Sequence, residues 1–190
     1  NAEYFGDHIM AGTLSVQKIQ GLATSATPTT VEIASGHVLH QPGAVIQFQH
    51  VNFTNNVSVS SSTFTDITGG TITITPKFAS SKIFVMIDCA VYVSASSNTY
   101  CYCGSKIIRG SSTEVSALNM TDGNGPYTYG YGGPSNIGQF DARHHYTAVD
   151  SPNTTSATTY KIQAARYATG TVTFNNGGGT SNIIAMEIAQ

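Results

Sequence analysis

The chain has 190 residues, a net charge of −2 and only 9% charged residues, against roughly 25% in an ordinary soluble domain. Its 8 basic residues form no stripe that would neutralise phosphates, which excludes nucleic acid as a partner. No apolar run approaches the ~18 residues that a membrane helix needs.

Residues 1–43 differ from the rest. Met10–Leu22 has sparse apolar residues and no sustained helical period, Ala23–Thr30 is a linker of small residues and proline, and Gln41-Pro42-Gly43 is a turn signal. So thin a stretch cannot bury enough apolar area to order itself alone. It is expected to be disordered, or to be ordered by wrapping partner chains or docking on a larger body. The chain starts with Asn1, which reads as a processed product or a piece of a longer protein, and no signal-peptide core precedes the linker.

From Ala44 to Gln190 strand signals recur: Ala44–Phe53, Val57–Ile67, Thr71–Thr75, Lys82–Val93, Thr99–Ile108, Glu114–Leu118, Ile137–Val149, Thr158–Ala168, Thr171–Phe174 and Asn182–Ile188. Turn chemistry separates them at Thr68–Gly70, at Asp122–Pro126 and at Asn175–Gly179. The last of these is expected to join the final two strands as a hairpin. Many short strands without a helix predict an all-β fold, an antiparallel β-sandwich of jelly-roll type. With 25 Thr, 20 Ser and 19 Gly, it stays soluble through hydroxyls and backbone, not charge.

Two strands are apolar on both faces. In Lys82–Val93 one face carries Ile83, Val85, Ile87, Cys89, Val91 and Val93; the other carries Phe84, Met86, Ala90 and Tyr92. In Asn182–Ile188, Ile184, Met186 and Ile188 oppose Ile183, Ala185 and Ala189. A sheet with one wet face shows a polar side. A symmetric oligomer would cover the second side, and so would the chain's own N-terminal segment. The oligomer reading places Met86, Ile184, Met186 and Ile188 at a subunit interface.

Three segments then carry a resemblance. Phe64–Pro76 with Ser80–Ile83, Asp150–Gln163, and Ile183–Ala189, in this order, are similar to a recurrent module of tailed-phage virion proteins, mostly tail fibres and receptor-binding tips. Upstream, Ala11–Val16 and Ser35–Gly43 resemble the connectors of such fibres. The resemblance implies a non-enzymatic homotrimer. Its C-terminal β-sandwich, residues 44–190, would cap a thin N-terminal segment, residues 1–43, that attaches to other virion proteins. It supplies no fixed set of binding residues. A capsid decoration or head-fibre protein is the alternative, and a polysaccharide-degrading tailspike is a third reading.

Catalytic patterns are absent. Glycan cleavage needs paired carboxylates, and no two of the 10 acidic residues stand at i, i+2. Asp88 reads as a hydrogen-bonded structural carboxylate, Asp150 as turn chemistry, and no Gly-x-Ser-x-Gly elbow occurs. Adjacent His144 and His145 point to opposite faces of a strand, so a metal would need copies gathered on a three-fold axis. The odd count of three cysteines fits a reducing cytoplasm, and Cys101 and Cys103 read as small residues on one strand face. Neither a cofactor nor a metal is called for. The candidate receptor contacts are Tyr127, Tyr129 and Tyr131, which alternate with Thr and Gly in Asp122–Ser135 and are expected in an exposed loop. Tyr100 and Tyr102 would extend that surface if they share a face. Tyrosine offers rigid contact area at low entropic cost, suited to a host glycan or outer-membrane protein.

Overall fold

A computed structural model of the chain describes residues 38–118, 128–134 and 138–190. The expected attachment segment therefore lies almost wholly outside the described residues, as do Tyr127 and the Asp122–Pro126 turn signal. One compact unit comprises His40–Gln190. Among the described residues eleven strands build it: β1 Val45–Phe53, β2 Val57–Val59, β3 Thr65–Ile74, β4 Lys82–Ala95, β5 Tyr100–Arg109, β6 Thr113–Leu118, β7 Thr128–Tyr131, β8 Gly138–Asp150, β9 Thr158–Ala168, β10 Thr171–Phe174 and β11 Ser181–Ile188. All pairings between them are antiparallel.

Several strands are collinear pieces of one ribbon. Along one edge of β4, β11 pairs with residues 82–88 and β10 with residues 91–94, both running the same way. On their far side β1 pairs with β11 and β2 with β10. Along one edge of β5, β6 pairs with residues 105–109 and β7 with residues 100–103. Each sheet then has four ribbons: β1/β2, β11/β10, β4, β8 in the first, and β3, β9, β5, β6/β7 in the second. The chain changes sheet at every connection between ribbons except the β5–β6 hairpin. This is the β-sandwich that the strand spacing predicts, with the ribbon order of a jelly roll.

The core lies between the sheets and is built by alternation. Ile83, Val85, Ile87, Cys89, Val91 and Val93 of β4 are all buried. They face Ile72, Ile74, Ile107, Tyr160 and Ile162 of the second sheet in one cluster. Removing each such side chain from water contributes about 1.5–3 kcal/mol.

Three expected boundaries are corrected. Thr68–Gly70 is not a turn between strands but a bulge inside β3, where five residues of β3 span two of β9. Gly69 takes φ +86°, and a Cβ there would stand 2.6 Å from Asn55 Oδ1 and 2.9 Å from Phe53 Cβ. Val57–Ile67 is not one strand, because the chain leaves the first sheet after Val59 and enters the second at Thr65. Asn175–Gly179 is not a hairpin turn. From Phe174 to Asn182 eight residues advance past three of β4, so the excess loops out and the chain resumes its direction. Asn175 holds this interruption. It is buried with φ 55°; its amide donates to the carbonyls of Phe53 and Asn55, both at 3.2 Å, and its oxygen accepts from Ser181. Ser181 Oγ in turn accepts the Ala90 N–H at 3.0 Å.

Candidate functional site

The outer face of the second sheet carries a tyrosine array. In β5, Tyr100 and Tyr102 alternate with Cys101 and Cys103, so the small thiols turn inward and the rings turn out. β7 repeats the pattern with Thr128 and Gly130 buried and Tyr129 and Tyr131 exposed. The register places Tyr100 opposite Tyr131 and Tyr102 opposite Tyr129. Ring centroids stand 4.8 Å apart for Tyr100–Tyr131, 5.9 Å for Tyr102–Tyr129 and 6.1 Å for Tyr100–Tyr102. Tyr167 of β9 pairs with Tyr102 on the far side. Tyr129 and Tyr131 therefore stand on a strand, not in a loop. The i, i+2 spacing of these tyrosines was the readable strand signal, obscured by the surrounding Gly and Pro.

Behind the array, His144 of β8 ties the sheets together. It is 3% exposed. Its Nδ1 lies 2.7 Å from Ser105 Oγ of β5 and its Nε2 lies 2.9 Å from Thr128 Oγ1 of β7. One ring nitrogen donates and the other accepts, so the neutral ring suits both hydroxyls. Burial pushes its pKa down to about 4. His145, one residue on, is exposed, as alternation requires.

The first sheet carries the second feature. Met86, Ile184, Met186 and Ile188 all lie on its outer face, half-buried. Register extends this face into an apolar row across four strands, Phe48, Met186, Phe84 and Val149. The row beside it reads His50, Ile184, Met86 and Thr147. Phe48 is 55% and Val149 59% exposed. Val149 escaped sequence reading because it is the single apolar residue on a strand face of Gln139, Asp141, Arg143, His145 and Thr147, and Phe48 because His50 and Asn52 follow it on its face.

No family model matches this chain, and no curated protein does.

Five described carboxylates are engaged in structural pairs or bonds. Asp88 receives Arg143 at 2.6 and 2.7 Å. Asp150, the last residue of β8, binds Arg109 at 2.8 Å and accepts the Tyr160 hydroxyl at 2.7 Å; it anchors a strand end instead of capping a turn. Glu114 pairs with Lys106. Asp66 pairs with Lys161, whose hydrogen bond, with that of Gln163, holds the carboxyl below its ordinary pKa. Glu187 is inaccessible to solvent and accepts the backbone N–H groups of Lys77 and Phe78. Burial alone would raise its pKa, but the neighbouring Ser81 hydroxyl, the bond from Gln47 and these backbone bonds hold it below the ordinary value. The three cysteines are free and buried, and burial raises the Cys89 pKa to about 12, which keeps the thiol protonated and unreactive. Among the described residues no group of three or more His, Cys, Asp or Glu is gathered for a metal.

Proposed function

We propose that this chain is a non-enzymatic structural protein of a bacteriophage virion, a tail fibre whose β-sandwich tip binds the host surface. The single observation that carries the reading is the tyrosine array, because it presents large amphipathic side chains outward from a rigid sheet. The apolar row on the opposite outer face supports a homotrimer. Its side chains are the type that a self-association surface buries, and a closed symmetric assembly is the economical way to cover them. Residues 1–43 would then connect the tip to other virion proteins. The engagement of five of the six described carboxylates as structural partners supports a binding role over glycan cleavage. In a trimer, with several trimers per particle, individually weak contacts gain about 10²- to 10⁴-fold in avidity.

Replacing Tyr129 and Tyr131 with alanine in the phage is expected to slow adsorption to host cells while particle yield stays unchanged. Unchanged adsorption by fully assembled particles overturns the reading and leaves a purely structural role, on the tail or as a capsid decoration.

A further inference from the structure

We infer that the hollow along the seam between β7 and β8 is a binding site for a neutral saccharide. The inference rests on the adhesive reading above and names the ligand class. The hollow measures about 420 Å³ and is lined by Tyr129, Gly130, Tyr131, Gly138, Gln139 and Phe140. That volume falls in the range of small-ligand sites.

The position of Phe140 is the pointed observation. The inward-facing row of β8 runs Phe140, Ala142, His144, Tyr146, Ala148. The last three are at most 8% exposed, and Val93, the cross-strand partner of Phe140, is 0% exposed. Phe140 itself is 52% exposed. A ring in core phase thus opens into the hollow. Tyr129 and Tyr131 line the same hollow from the other sheet, so aromatic residues border it on both sides of the seam. The floor is backbone. A Cβ on Gly138 would collide with the Tyr131 carbonyl oxygen, and one on Gly130 would stand 3.3 Å from the Gly138 oxygen. These glycines let the two strands close up.

The lining sets the ligand chemistry. No lining residue is charged, so an ionic group entering the hollow would lose water without gaining a counter-charge. The polar groups are two phenol hydroxyls and the Gln139 carboxamide, each able to donate and accept. Aromatic faces with neutral hydrogen-bonding groups match a pyranose, which has an apolar C–H face and a rim of hydroxyls. The walls are fixed in advance. β8 pairs with β4 over 13 residue pairs, and His144 bonds to both β5 and β7. Little ordering is then left for binding to offset.

The test is calorimetric titration and saturation-transfer NMR of the full chain with a panel of neutral and anionic mono- and oligosaccharides. At least one neutral sugar is expected to bind, with an affinity that does not change on raising the salt about tenfold. Tyr131→Ala and Gln139→Ala should each weaken it by about tenfold. Tyr131→Phe, which keeps the ring and the fold, should weaken it less, and Tyr92→Ala on the other sheet should leave it unchanged. Binding of anionic sugars alone, binding indifferent to both alanine variants, or no binding overturns the inference. Fluorescent protein added to host cells separates the two readings. Adherence that neutral sugar does not compete overturns the saccharide site and leaves adhesion standing, whereas absent adherence overturns the adhesive reading.

Discussion

Acidification should weaken this sandwich through one buried imidazole. The folded chain holds His144 neutral with a pKa near 4, whereas an unfolded histidine takes its proton near 6.5. Between those values the unfolded chain binds more protons, so stability falls as pH falls. The contribution is fully present above pH 6.5 and is lost on descending to pH 4, a total of about 3 kcal/mol. By pH 5.5 the loss is about 1.4 kcal/mol, one pH unit below the unfolded value. For a chain of this length that lowers Tm by roughly 3–6 °C. The window from pH 7 to 5.5 is chosen because Asp66 and Glu187, both with lowered pKa values, lose their contributions only below it. Urea unfolding at pH 7 and 5.5, at one protein concentration, should be compared in wild type and His144→Gln. Glutamine can still donate to one hydroxyl and accept from the other, yet it carries no titrating group. The variant is expected to be less stable at pH 7 and to lose about 1.4 kcal/mol less than wild type over the window. Every other group titrates alike in both chains, so an identical loss in the two would refute the reasoning.

Two more perturbations address the frame. Asn175→Ala strands the Phe53 and Asn55 carbonyls and the Ser181 hydroxyl, and should cost about 1–3 kcal/mol in urea unfolding; a cost near zero would show that the interrupted ribbon holds without its side-chain staple. Met186→Lys places a charge in the row Phe48, Met186, Phe84, Val149. Analytical ultracentrifugation should show a smaller species for the variant than for wild type with circular dichroism unchanged, and a well-folded monomeric wild type would remove the oligomer from the proposal.

Much of the architecture was legible because alternation survives in single strands. Ile83–Val93 announced its buried face residue by residue, and Thr158–Ala168 and Thr171–Phe174 were bounded as they stand. The failures share a cause. Thr68–Gly70 and Asn175–Gly179 have the composition of turns, but whether such a segment reverses the chain depends on which strand lies beside it. β4 continues past Asn175–Gly179, so the chain rejoins the same edge. The tyrosine array was half legible. Tyr129 and Tyr131 were expected to be exposed, but in a loop, and their registration with Tyr102 and Tyr100 depends on pairings across 27 and 31 positions of sequence, which no local pattern encodes. Phe140 falls in the inward phase of β8, and only the open seam leaves it accessible.

Timing follows from the pairing of β1 with β11. On the ribosome, residues 45–53 emerge long before residues 181–188, which among the described residues supply their only strand partner. Until then β1 is an unpaired edge and one long side of β4 is open along its length. Among the described strands only the β5–β6 hairpin closes over a short stretch of chain. The first sheet therefore completes only after residues 181–188 have emerged, in a slow search dominated by distant contacts. Throughout that search Phe48, Phe84 and Met186 are exposed, on strands that any neighbouring nascent copy could also pair.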